Sequence, residues 1–449
     1  MTVDFAVVGG GLSGLATALS AKRDGKQVRL FEKNSRPGGK VKTLHEDGYV
    51  VELGPLGFLD REPGFAQFRQ DLNLDLIPAD VAVKKRFLLH QGHLCELPSG
   101  PLSLLSSPLL SWSGKLRLLA EPFISSSSKN SEELSAETVR EFARRRLGVE
   151  ASDRFFEPFV SGIFAGDPEK LSIAAAFPRL HQFEKDFGSI FRGALQERRR
   201  RKKRQAAGEA VESMQTLTCQ TGMQAMVEAM VSALGDKYLG GTGVASLHKE
   251  GGEWRLQDDT GRTHHAKKIV LALPSAAAEK LLLPLAPELA GLAKDIPSPP
   301  FAVVVAAWPR EMVKHPCEGF GFLIPRSEGV RALGVQFAHS VFPSQTPPGK
   351  VQLRFLLGGA LDPQVGELTK EELIEAAIQP LKSILGMTAP PEKVWVRQMQ
   401  PGIPQYQMGF GKRKAQWQAV AQKLGNLRFI GDSFQGIGVP AAFQSNAGY

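Results

Sequence analysis

The stretch "FAVVGGGLSGLATALSAKRDGKQVRLFEKNSRPGGK", residues 5–40, constrains this chain more than any other. Phe5 to Val8 has the length and β-branched content of a buried parallel strand, and Leu12, Leu15, Ala16 and Leu19 recur at helical spacing directly after it. The chain must turn sharply from strand into helix, and Gly9, Gly11 and Gly14 stand at that turn as GxGxxG. In such a turn the first glycine permits the bend, the second lets backbone approach a diphosphate, and the third lets helix pack on strand. The helix N-terminus at Leu12 and Ser13 faces the phosphates with free NH groups and a partial positive charge. A second strand over 27–31 ends at Glu32, where an acid accepts hydrogen bonds from ribose hydroxyls. Strand, helix, strand and acid in this order predict a dinucleotide-binding unit. The carboxylate at Glu32 disfavours NADP, whose 2′-phosphate it would repel.

A chain of 449 residues with 42% apolar content buries two or three cores rather than one. The three cysteines, Cys95, Cys219 and Cys317, lie too far apart for a metal knuckle or a disulfide framework and read as packing residues. No Ser-His-Asp pattern is written, and the adjacent pair His264 and His265 would point apart on a strand rather than share a metal. A net charge of +9 suits an anionic partner: nucleic acid, a phospholipid surface or an acidic small molecule. Asp4 and the glycines argue against a cleaved signal peptide, and Glu279 and Lys280 interrupt the best apolar run below membrane-spanning length. The chain is expected not to cross a membrane.

The segment from Glu32 through Lys33 and Arg36 to Gly38, Gly39 and Lys40 resembles the E-x(3)-R-x-GG signature that follows the ribose acid in FAD-dependent amine oxidases. The resemblance implies FAD. Near the C-terminus, "NLRFIGD" over 426–432 reads as one more strand, ending at Gly431 and Asp432, and is followed by "SFQGIGV". In that superfamily such a segment starts a helix aimed at the isoalloxazine, so Ile437, Gly438 and Val439 are expected to offer NH groups to the reduced ring. The chain stops at Tyr449, about ten residues into that helix, which is shorter than expected. The cofactor contacts carried over with the resemblance also include Gly54, Pro55, Leu56, Gly57 and Val244.

Several further stretches are similar, in order, to motifs of the protoporphyrinogen oxidase family: "KKRF" from Lys84, "EPFVSGIFAGDP" from Glu157, "EGFGFLIP" from Glu318, "VFP" from Val341 and "IPQY" from Ile403. Together they span nearly the whole chain. The resemblance implies six-electron oxidation of a porphyrinogen with O2 as acceptor, with protoporphyrinogen IX and coproporphyrinogen III both left open. It also implies an α/β fold: a discontinuous Rossmann-like FAD domain (1–83, 222–297, 418–449), a mixed-sheet α+β substrate domain (84–101, 298–417) and a helical membrane-associating domain (102–221). A cytoplasmic enzyme held peripherally on an anionic membrane, a homodimer and handover of product to ferrochelatase are expected with it. A flavin amine oxidase or carotenoid desaturase is the same-fold alternative, and a non-enzymatic basic adaptor retaining the dinucleotide fold is the alternative of another class.

On this resemblance Leu323 and Phe342 clamp the tetrapyrrole, Gly162 brings backbone close to its plane, and Arg86, with Lys84 or Lys85, binds a propionate. Gln345 departs from the family, which commonly has Arg there, and so does Asp432, which matches the wider FAD superfamily. The run "RRRRKKR" at 198–204 has no interleaved aromatics, which argues against nucleic acid; it reads as an exposed loop, with attraction to anionic lipid as the alternative. Between 102 and 119, Leu104, Leu105, Leu109, Leu110, Trp112 and Leu116 read as core or as an apolar membrane patch. Clear helices are expected over 138–148, closed by Gly148, and over 370–385.

Overall fold

The structure, a computed structural model, describes residues 2–60, 62–126, 137–208 and 215–444. The opening strand forms over Thr2–Val8, and Phe5 to Val8 are buried on both faces, as a run without alternation requires. It pairs in parallel with Val28–Glu32 on one side and with Thr263–Leu271 on the other. Tyr238–Gly240 extends this sheet in parallel, and Leu427–Phe429 joins its far side from the C-terminal end of the described chain. Glu253–Asp258 and Val244–Glu250 add antiparallel strands, giving seven in all. The helix Leu12–Arg23 buries Leu12, Leu15, Ala16 and Ala18 against this sheet.

A second seven-stranded sheet runs Lys393–Met399, Phe301–Pro309, Lys350–Gly358, Ala332–Phe337, Gly321–Leu323, Phe87–His90, His93–Glu96. Its pairs are antiparallel except where Gly321–Leu323 meets Phe87–His90. One face carries its own core with Trp308, Phe337 and Phe355; the other carries Phe301, Val303 and Val305 against Tyr49, Val51 and Leu53 of the N-terminal region. The mixed α/β class read from the sequence is what forms. The helix expected over 370–385 is broken: Lys370–Ile378 gives way to a 3-10 turn at Gln379–Leu381 and resumes as Lys382–Leu385. Pro380 lacks the NH that a continuous helix would need there.

The helical block lies between these sheets in sequence, with 127–136 and 209–214 outside the described residues. Val139–Leu147 starts on a Thr138/Glu141 capping box and stops at Gly148, whose φ of 88° suits glycine. The basic run is not a loop but the last turns of the helix Ile190–Ala206. Ser189 caps its start, Ile190 and Gly193 pack inward, Arg179 pairs with Glu197 and the Arg200 guanidinium lies 5.6 Å from the Phe187 ring centre. Arg and Lys favour helix once such contacts nucleate it. Of the apolar run, Leu104, Leu109 and Leu110 are core, while Leu102, Trp112 and Leu116, and Phe123 just beyond it, are more than 65% exposed. Among the described residues no helix is long and apolar enough to cross a membrane.

Buried charge holds this block together. Glu121 and Arg146 are both 0% exposed and form a salt bridge, and Glu121 also accepts from Ser189 Oγ at 2.6 Å and Ile190 N at 2.9 Å. Removing one partner of such a pair strands the other's charge, which costs about 3–5 kcal/mol. Arg146→Ala is therefore expected to destabilise the protein by about that amount in a denaturant titration. Arg144→Ala, on the exposed side of the same helix, should shift the midpoint by about 0.5 kcal/mol or less.

Candidate functional site

The C-terminal ends of the parallel strands open into a cavity of about 990 Å³ that continues to the inner face of the second sheet. At its first end Gly9 has a φ of 112°, and a Cβ there would sit 2.4 Å from Ala272 O. A Cβ on Gly14 would sit 1.9 Å from Gly9 O, so this glycine sets helix against strand and stands behind the wall. Gly11 is different. A Cβ there would meet nothing within 4 Å, and Gly9, Gly11, Leu12 and Ser13 all line the cavity. This is open space beside backbone NH groups at a helix N-terminus, as a diphosphate needs.

Glu32 is buried at the edge of that space. Its carboxylate accepts from Gly10 N at 2.6 Å, from Asn34 N at 2.8 Å and from Asn34 Nδ2 at 2.9 Å. Three donors leave one of its roughly four acceptor positions for a ribose hydroxyl. Glu32, Lys33 and Val244 share this end of the cavity with Asn34 and Gly243, which the sequence did not single out.

The second glycine pair folds back onto the first. Gly38 N donates to Gly10 O at 2.8 Å, and Gly39 packs against Gly11. Gly38, Gly39 and Lys40 line the cavity, and Lys40 pairs with Asp432, so the two ends of the sequence meet across the site. Arg36 does not reach the cavity: its guanidinium donates to Val41 O at 2.6 Å and Gly39 O at 2.9 Å, bracing the turn from behind. Arg397, from the second sheet, donates to Lys40 O at 2.8 Å and Gly39 O at 3.0 Å. Gly431, Asp432, Ile437, Gly438 and Val439 complete this stretch of wall. The helix expected after Gly438 is, in the described residues, a 3-10 run over Val439–Phe443; 445–449 lie outside them.

Gly54, Pro55, Leu56 and Gly57 lead onward to the far end, where Gly162, Ile163, Phe301, Phe320, Gln336, Arg354, Leu356 and Met399 form the wall. Gly162 sits on the helix Glu157–Phe164, which ends in a left-handed Ala165 pinned by its carbonyl to Ala360 N at 2.7 Å. Leu323 is one layer behind: a Cβ on Gly162 would be 2.5 Å from Leu323 Cδ2. Phe342 is also behind the wall, 1% exposed, its ring edge against Gly57. The clamp expected of these two side chains is thus backing for two glycines. Arg86 is exposed outside the cavity, its guanidinium 5.0 Å from the ring centre of Phe320. Gln345, the departure from the resembled motif, is buried and donates to Cys219 O at 3.0 Å. Gln336 and Arg354 escaped the sequence reading, although a polar residue inside each of the apolar runs "ALGVQF" and "VQLRFLLGG" was the available signal.

His264 and His265 take no part in the cavity; His264 Nε2 is 2.8 Å from Asp258 Oδ2, and among the described residues no acid, His and Cys cluster suits a metal. Glu52 lies beneath Gly54 and is 2% exposed; burial pushes its carboxyl up to about 7 against hydrogen bonds from Met223 N and Thr43 Oγ1 and the field of Arg354. An acid whose folded pKa lies above its unfolded value of 4.5 contributes stability below that pH, and loses it as pH rises to about 7. Replacing Glu52 with Gln should remove this slope. Melting temperatures of the two proteins between pH 4 and pH 8 should diverge in favour of Glu52→Gln up to about pH 7 and then run parallel. A difference of the opposite sign would mean that the buried carboxyl is ionised.

A family model for flavin containing amine oxidoreductases matches residues 12–446. The chain is 31% identical to the coproporphyrinogen III oxidase of Bacillus subtilis (strain 168), over 97% of this chain and 94% of that protein. It is 33% identical to the chloroplastic protoporphyrinogen oxidase 1 of Arabidopsis thaliana, over 91% of this chain and 80% of that one. A solved structure from Exiguobacterium sp. 255-15, assigned as a protoporphyrinogen oxidase, matches 99% of the chain with a TM-score of 0.82 at 24% identity and bears on the fold. The family match takes in nearly the whole cavity wall, from Leu12 and Ser13 at the diphosphate turn to Gly431 and Asp432 at the far end of the sequence. This chain belongs to the flavin-containing amine oxidoreductase family and is an FAD-dependent oxidoreductase.

Proposed function

We propose that this chain oxidises a porphyrinogen to its porphyrin, six hydrogens leaving in three two-electron rounds with O2 as the final acceptor. The observation that carries the reading is one continuous cavity that joins a diphosphate cradle to an apolar chamber walled by Gly162, Phe320, Leu356 and Met399. FAD supplies the electron acceptor for the substrate and the route to O2. The chain's own residues hold and orient. Gly11, Gly39 and Lys40 cradle the diphosphate, Glu32 the ribose, and Gly162, which lines the chamber, lets its helix pack close on Leu323, where a Cβ would be 2.5 Å from Leu323 Cδ2. The protein's main contribution in the chamber is to orient the macrocycle against the acceptor.

Relatives named for protoporphyrinogen and for coproporphyrinogen oxidation match at similar identity. Product fluorescence with both porphyrinogens separates them, and failure to form porphyrin from either would sink the proposal. Gly11→Val places a branched side chain in the open cradle; the purified variant should fold but lose its flavin absorbance. A variant that stays yellow would overturn the assignment of the cradle. Arg86 is exposed, so its contact with a propionate is screened and contributes roughly 0.2–1 kcal/mol. Arg86→Ala should raise KM by no more than about fivefold and leave kcat unchanged.

Peripheral attachment to an anionic membrane is part of the same reading. It is supported by the exposed Leu102, Trp112, Leu116 and Phe123 and by the basic end of Ile190–Ala206. Replacing Arg198, Arg199, Lys202 and Lys203 with Gln should weaken sedimentation with anionic vesicles by about fivefold per cation, at about 1 kcal/mol each. Turnover in detergent should not change.

A further inference from the structure

On the face that the second sheet turns toward the cavity, one guanidinium is buried with neutral partners only. Arg354 is 5% exposed and lines the cavity. Its Nε donates to Glu52 O at 3.1 Å, and its terminal nitrogens donate to Gly54 O and to Gln336 Oε1. It makes no ion pair among the described residues; the Glu52 side chain reaches it only through its field. A buried charge held by neutral groups is costly, and a ligand that brings negative charge offsets that cost. Gln336 extends the same polarity to the wall. A guanidinium can only donate, so the amide oxygen must face Arg354, and Nε2, with no hydrogen-bond partner among the described residues, is the end left over.

Position along the cavity indicates which ligand group is meant. A Cβ on Gly54 would lie 2.3 Å from Lys40 O, so Gly54 adjoins the diphosphate turn, and Gly54 to Gly57 carry the wall from there toward Gly162 and Phe320. This rests on the proposed function, which puts the diphosphate of FAD at Gly11 and Gly39. We propose that Arg354, with Gln336, is the electrostatic partner of the isoalloxazine and stabilises the negative charge that the ring gains on two-electron reduction. A fixed cation in a low-dielectric wall favours the reduced ring over the oxidised one and so raises the flavin potential. The other source of negative charge in the chamber is a substrate carboxylate.

The test is the midpoint potential of the holoenzyme without substrate. Arg354→Met should weaken binding of reduced relative to oxidised FAD tenfold or more, a fall of at least about 30 mV for a two-electron couple. Arg354→Lys, which keeps the charge, should restore most of it. Gln336→Glu sets a carboxylate against the guanidinium without removing Arg354, and should lower the potential even if Arg354→Met does not fold. An unchanged potential in Gln336→Glu overturns the proposal. So does an unchanged potential accompanied by a raised KM for coproporphyrinogen III but not for its methyl ester, which would assign the cation to substrate. A wild-type chain that takes up no flavin overturns the proposed function as well, and is seen before any variant is made.

Discussion

Everything in the site depends on how closely backbone approaches backbone at the end of the first strand. Gly9 is pressed on Ala272 and Gly14 on Gly9, at separations no Cβ could share. These contacts fix the turn, and the turn in turn leaves Gly11 facing open space. Packing and binding are thus divided among three glycines within six residues: two are filled against protein and one is kept clear for ligand. The second glycine pair repeats the division, since Gly38 packs on Val227 while Gly39 stays with Gly11 at the edge of the cavity.

The two sheets are joined by guanidinium groups rather than by apolar packing alone. Arg397 and Arg354 both rise from the second sheet and donate to carbonyls between Gly39 and Gly54. Burial lowers each toward about 10, so both remain charged at neutral pH. Each therefore ties the second sheet to the segment between Gly39 and Gly54 while placing positive charge near it. A neutral donor such as Gln could make part of the first contribution, but none of the second.

How much was legible from sequence follows from how local each feature is. The cradle was readable because its glycines, strand, helix and acid lie within thirty residues and each has a separate physical reason. Gly162, carried over through a motif, is found lining the cavity. Arg354 and Gln336 were not, because their meaning comes from cross-strand pairing and from the Glu52 and Gly54 carbonyls some 300 residues away. The basic run was misread as a loop for a related reason: nothing in seven consecutive cations shows the Ser189 cap or the packing of Ile190 that starts the helix. Arg36 was assigned to the cofactor by its place in a signature, yet its guanidinium is used up by the carbonyls of its own turn.

On the proposed function, which carboxylates the substrate carries is a harder matter for this wall to sense. Arg86, Lys84 and Lys85 are exposed at the outside, where screened charge attracts two propionates or four with little difference. Such contacts act alike on ground state and transition state, so they alter capture of substrate more than its chemistry. Discrimination that reaches the chemical step has to come from the chamber itself, where Leu323 and Phe342 stand behind glycines and set its shape. An extra carboxylate directed at the apolar part of that wall, away from Arg354, would lose its hydration without a counter-charge and be refused; one directed out past Phe320 toward Arg86 would cost little. On the proposed function, selectivity between the two porphyrinogens thus reduces to which edge of the ring is turned inward.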